Sequence, residues 1–231
     1  MPYQTVTMPV MDQAFASRRT LPDTATETIR TAPDGWPLRS LAFAARGPVR
    51  GSILFQTGRA DFAEKYAEAC GELAAAGWVV EAFDWRGQGA SGRLSADPHV
   101  GHAVDFAPWE DDLAAYYADW AARTAAPHII VGHSMGGHLV LRTLAAGRIT
   151  PDAAILLAPM CAFHGRMPVA FLHMMARIMG WLRGSTTAAW ADAARSGSAD
   201  NMRYRMLTHD RSRYDDEAAW WRARPELQLG P

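Results

Sequence analysis

Four short apolar runs, at residues 52–56, 78–85, 128–131 and 153–158, alternate with three segments of helical spacing. The first of these segments, 63–76, places Tyr66, Cys70 and Leu73 on one face, and Gly77 supplies the stop. The second, 105–126, has Pro108 near its start and Glu110, Asp111 and Asp112 in its first turns, where the helix dipole favours negative charge. The third spans 135–146. Each apolar run is continuous rather than alternating, the pattern of a strand covered on both faces, so the chain predicts a parallel sheet between two layers of helices. Ahead of it, extended stretches at 26–31 and 37–44 flank Pro33-Asp34-Gly35, a turn sequence that predicts an antiparallel hairpin. Residues 1–25 lack periodicity and read as an irregular lead-in.

The character changes after Met160. From there to Pro231 the chain contains a single valine, Val169, and a single isoleucine, Ile178, against many Ala, Met, Trp and Arg. Nothing in that stretch reads as a buried strand. It predicts helices at 163–182, 187–194 and 215–224, the last stopped by Pro225, with a loop at 196–201. The expected organisation is therefore a core over residues 1–160 and a helical, cap-like region over 161–231. Phe171, Met174, Met175, Ile178, Met179 and Leu182 recur at helical spacing, a stripe that suits either plain packing or an acyl chain.

Composition narrows the function classes. With 231 residues the chain is long enough for one sizeable core. Its 23 basic and 24 acidic side chains leave a net charge of −1, which is no electrostatic footprint for nucleic acid or an anionic membrane surface. Two cysteines, Cys70 and Cys161, make no disulfide framework, and there is no Cys/His cluster of metal-ligand spacing; no metal or cofactor is expected. No apolar h-region follows a basic start, and no apolar run approaches the ~20 residues of a membrane span. The longest candidate, 163–182, is broken by Arg166 and Arg177. A cytoplasmic protein, at most peripheral to a membrane, is expected.

The chemistry is announced by Gly132-His133-Ser134-Met135-Gly136-Gly137, a G-x-S-x-G motif between an apolar strand and a helix. A serine on so sharp a turn crowds the residues two before and two after it, and glycine at Gly132 and Gly136 relieves the clash. The turn lifts the hydroxyl of Ser134 above the sheet at the positive end of the following helix, and the Met135 N–H becomes an oxyanion donor. The bland alternative is a Gly-rich strand-to-helix turn with an idle serine.

Together with Gly58-Arg59, Glu64-Lys65-Tyr66, Phe83-Asp84-Trp85-Arg86-Gly87-Gln88-Gly89-Ala90-Ser91-Gly92 and Ala158-Pro159-Met160, this motif resembles the α/β-hydrolase superfamily, and more narrowly its bacterial lysophospholipase and monoacylglycerol-lipase branch. The resemblance implies an α/β fold with a mostly parallel sheet, helices on both faces and a helical cap. It implies a serine hydrolase of lipid-like or small acyl esters that works through an acyl-enzyme at Ser134. The second oxyanion donor would be the Arg59 N–H, in a loop where this chain carries Thr57-Gly58 and the family usually carries His-Gly. The loop holding Asp84, Gly87 and Gly89 would buttress the site.

A serine nucleophile needs a base and an orienting acid, which follow it in this fold in the order Asp or Glu, then His. His133 adjoins the serine and alternates away from it, and His138 reads as packed. His164 and His173 fall in the Met-rich region, and His99 and His102 precede the serine. Asp200 with His209 respects the order, but neither ends a strand. The resemblance places the missing pair on core strands beyond the cap, so the chain reads as a C-terminally truncated hydrolase lacking the triad Asp and His. Two alternatives remain. One is a catalytically incompetent binding or assembly module whose exposed sheet edge pairs with a partner or a second copy. The other keeps the fold but performs C–C hydrolase or haloperoxidase chemistry.

Overall fold

A computed structural model describes residues 18–162, 169–183, 208 and 210–229. The hairpin is present: β1 (Ala25–Thr31) pairs antiparallel with β2 (Pro37–Phe43), and Gly35 sits in the turn at φ +89°. The four apolar runs become β3 (Gly51–Gln56), β4 (Trp78–Phe83), β5 (His128–His133) and β6 (Ala153–Leu157). One six-stranded sheet results, in the order β1-β2-β4-β3-β5-β6. Pairing is antiparallel from β1 to β4 and parallel from β4 through β3 and β5 to β6.

The 63–76 segment opens as a 3-10 turn (Ala63–Tyr66) and continues as α1 (Ala67–Ala75). Helix α2 (Ala107–Arg123) is shorter at both ends than the spacing predicts, and α3 (Met135–Ala145) follows the serine. Two apolar layers cover the sheet. Leu54 and Phe83 meet Leu113, Tyr116 and Trp120 of α2 and Leu139 and Val140 of α3 on one side. Ile53, Phe55, Val80 and Val131 meet Ala67, Cys70 and Ala74 of α1 on the other.

The expectation of double coverage fails at β6. It is the sheet edge, covered on one face only, where Leu156 packs on the layer that holds α3, and Ile155 and Leu157 remain 47% and 44% exposed. Helix α4 (Val169–Arg183) likewise leaves its Phe171, Met174, Met175, Ile178, Met179 and Leu182 stripe exposed. By contrast α5 (Arg211–Ala223), capped by Asp210, packs on the core: Trp220 and Leu227 close over Phe62. The expected lead-in up to residue 17, the 187–194 helix, the 196–201 loop, His164, Asp200 and His209 lie outside the described residues.

A buried ionic knot ties the hairpin to the loops above the sheet. Arg39 of β2 makes two bonds to Glu64, at 2.8 and 2.5 Å, and reaches Asp84 at 3.2 Å and Glu27 at 2.9 Å; Arg224 adds bonds to Glu64 and Glu27. Three carboxylates thus share two guanidinium groups. Glu27, the outermost, is held down to about 2 by its bond to Arg39. Asp84 is fully enclosed, and burial, opposed by Arg39 and reinforced by Glu64, pushes it up to about 6.

An unfolded aspartate titrates near ~3.9. Folded Asp84 therefore keeps a proton between roughly pH 4 and 6 that the unfolded chain has released, a stabilisation present below that window and lost as pH rises through it. Unfolding free energies from urea titration of wild type and Asp84→Asn should accordingly differ more at pH 4 than at pH 7, by on the order of 2 kcal/mol. A difference independent of pH would refute the assignment.

Candidate active site

Ser134 stands at the end of β5 with φ 52° and ψ −116°, backbone values that a non-glycine residue adopts only when its surroundings impose them. They are imposed by close approach. A Cβ on Gly132 would lie 2.7 Å from the Gly137 Cα, and one on Gly136 would lie 2.3 Å from the Thr57 carbonyl oxygen. The segment after β6 clasps the turn: the Ser134 N–H donates to the Leu157 carbonyl, and the Met160 N–H donates to the Ser134 carbonyl, both at 3.0 Å. Ser134 is half-buried, and Met135 begins α3, where a first-turn N–H has no carbonyl to meet within the helix.

The loop after β3 faces this turn. The position a Cβ would take on Gly58 lies 3.4 Å from the Ser134 Cβ, ordinary contact, and is crowded instead by Asp61 Oδ2 at 2.6 Å and His133 Nδ1 at 3.1 Å. Arg59 follows with its side chain exposed, and Ala60 adopts φ 59°. The loop is held from behind by the segment following β4. The Trp85 Nε1–H donates to the Thr57 carbonyl at 2.9 Å, Gln88 Oε1 accepts from the Ala60 N–H at 2.5 Å, and Asp84 accepts from the Ala63 and Ala90 N–H groups at 2.8 and 2.9 Å. A Cβ on Gly89 would strike the Asp84 carboxyl at 2.3 Å, while Gly87 turns the chain at φ +79°. Asp84, Gly87 and Gly89 thus sit behind the loop rather than beside Ser134.

The sequence reading overlooked a polar cluster under the same loop. His133 does not simply point away from the site: its Nδ1 lies 2.7 Å from the Tyr66 hydroxyl, which donates to Asp61 at 2.6 Å, and Lys65 meets the same carboxylate at 2.5 Å. Burial alone would raise the Asp61 carboxyl, but nearby His133, the Lys65 ammonium and the Tyr66 hydroxyl hold it below the usual carboxylate range. Burial and the Asp61 charge push the Tyr66 hydroxyl well up. The signal was the dense run Asp61, Glu64, Lys65, Tyr66 directly after Gly58-Arg59; its partner lies 67 residues on.

His138 packs edge-on against Phe106. His99 and His102 lie in the loop before α2, and His173 lies on α4. Among the described residues no strand follows β6, so none offers a strand-end acid or histidine after Ser134. No group of three His, Cys, Asp or Glu side chains suited to a metal occurs among them either.

A mixed sheet flanked by helices, with a strained serine between strand and helix, defines an α/β-hydrolase fold. The chain belongs to the Hydrolase_4 family (serine aminopeptidase, S33), whose match covers residues 47–225. It is 33% identical over 208 residues to lysophospholipase L2 of Escherichia coli K12, covering 87% of this chain and 58% of that protein. It is 31% identical over 135 residues to a monoacylglycerol lipase of Mycolicibacterium smegmatis, covering 58% and 46%. A soluble variant of monoglyceride lipase from Saccharomyces cerevisiae shares the fold, with a TM-score of 0.55 at 18% identity over 70% of this chain and 53% of that one. The chain thus spans about half of the curated relatives' length.

The crowding at the turn makes a sharp test. Gly136→Ala places a methyl against backbone that cannot yield, and a loss of about 3 kcal/mol in denaturant unfolding is expected. Gly71→Ala, in α1 with open space around it, should gain roughly 0.5–1 kcal/mol. Equal effects at the two sites would contradict the packing described.

Proposed function

We propose that this chain is a serine hydrolase of carboxylic esters with lipid-like or small acyl substrates, of the lysophospholipid or monoacylglycerol class. Ser134 attacks the ester carbonyl, and the backbone N–H groups of Met135 and Arg59 receive the charge that develops on its oxygen. Gly132 and Gly136 allow the turn, Gly58 allows the donor loop to approach, and Asp84, Gly87 and Gly89 support that loop. The carrying observation is the strained Ser134 turn at the start of α3, with the Gly58–Ala60 loop in van der Waals reach of it. The names of the two curated relatives support the substrate class.

In this reading residues 161–231 are a cap-like region whose α5 end docks on the 1–160 core, and the exposed α4 stripe meets the acyl chain. A cytoplasmic protein peripheral to a membrane fits the two unpaired cysteines and the absence, among the described residues, of a helix long and apolar enough to cross a bilayer. No metal or cofactor enters the mechanism.

A second reading rests on β6. An exposed edge strand carrying Ile155 and Leu157 offers unpaired backbone groups and apolar side chains to a partner or a second copy, as a binding or assembly module would. A fluorophosphonate probe separates the two. Labelling of the chain that disappears in Ser134→Ala is expected. A chain that takes no label, yet self-associates on sedimentation, would establish the module instead.

A further inference from the structure

The half-buried imidazole beside the nucleophile belongs to no step described so far. It joins a chain of side chains reaching from the end of β5 to the donor loop and on to α5. Tyr66 lies 2.7 Å from His133 Nδ1 and 2.6 Å from Asp61 Oδ2, and Lys65 bridges Asp61 at 2.5 Å and Glu217 of α5 at 3.6 Å. The position of a Cβ on Gly58 lies 2.6 Å from Asp61 Oδ2, 3.1 Å from His133 Nδ1 and 3.4 Å from the Ser134 Cβ. All three groups therefore surround the one residue that precedes the Arg59 donor.

Proton accounting fixes how this cluster is wired. An ionised carboxylate only accepts, so the single Tyr66 proton goes to Asp61. The phenol oxygen, its proton committed, must then accept from His133. The imidazole accordingly carries a hydrogen on Nδ1. Direct pairing of His133 with Asp61 is too long at 3.7 Å, which makes the tyrosine hydroxyl the link.

We infer that His133, Tyr66 and Asp61 form a positioning network that holds the Gly58–Ala60 loop against Ser134 and so sets the Arg59 N–H as an oxyanion donor. The inference rests on Ser134 as nucleophile and Arg59 as donor. None of the three side chains needs to touch substrate. They act on the loop: Asp61 and His133 close around Gly58, the Tyr66 hydroxyl links the two, and Lys65 fixes the Asp61 end. The device is directional, because reversing the histidine tautomer would set two lone pairs against each other and loosen the loop.

Two measurements test it. Histidine-selective 15N spectra, with His133 assigned by its loss in His133→Asn, should show a protonated Nδ1, and this signature should change in Tyr66→Phe. An unprotonated Nδ1 in the wild type would overturn the wiring. The second measurement is the rate of fluorophosphonate labelling in variants whose thermal midpoints match the wild type. Tyr66→Phe and His133→Leu should label about 10- to 100-fold more slowly, in the rate constant rather than in probe affinity. His133→Asn, whose amide N–H can stand near the Nδ1 position, should recover most of the rate. Labelling at the wild-type rate in Tyr66→Phe, with none in Ser134→Ala, would discard the network and leave the ester-hydrolase reading standing. No labelling of the wild-type chain would overturn both.

Discussion

Everything around Ser134 follows from how closely three strand ends are drawn together. The left-handed backbone of that residue is worth on the order of 1–3 kcal/mol of strain, and it persists because β3, β5 and β6 leave it no alternative. The Gln56–Thr57 carbonyls press on Gly136, the Gly137 backbone presses on Gly132, and the residues after β6 bond to Ser134 from both sides. In-register parallel pairing of β3 with β5 and of β5 with β6 brings these ends to the same height. A hydroxyl aimed above the sheet is thus a property of the sheet's register more than of the serine.

A second layer of constraint lies in the polar loops. Arg39 and Arg224 gather Glu27, Glu64 and Asp84, and through them fasten the hairpin, the 3-10 turn and the residues after α5 to one another. Such a buried cluster is expensive to dehydrate and contributes modest net stability, while breaking one member is costly. Its value is geometric. Asp84 holds the backbone at Ala63 and Ala90, so the loop that meets Ser134 and the loop behind it move as one unit.

The sheet and the Ser134 turn are legible because each rests on a local signal. Apolar runs of strand length, helical spacing between them, Pro33-Asp34-Gly35 and the glycines flanking Ser134 all carry their meaning within a few residues. Expectation failed where meaning depends on what lies across space. The 153–158 run looks as apolar as its neighbours, yet it became an exposed edge, since coverage is decided by helices elsewhere in the chain. His133 was read by strand alternation as facing away, but alternation says nothing of Tyr66, which comes from a different loop. The 215–224 helix was assigned to a cap on composition, whereas Trp220 and Arg224 anchor that segment to the core through contacts no local pattern encodes.

The two cysteines have unlike fates in this architecture. Cys70 lies on the buried face of α1 among Ala67, Ala74 and Phe55, where burial pushes its thiol up to about 12, so it stays protonated and shut off from solvent. Cys161 is exposed, one residue beyond the Met160 amide that bonds to Ser134. In the folded chain a thiol-directed fluorophore would therefore attach at one place, next to the Met160 amide that bonds to Ser134. The protein carries its own single-site handle for watching that clasp open and close.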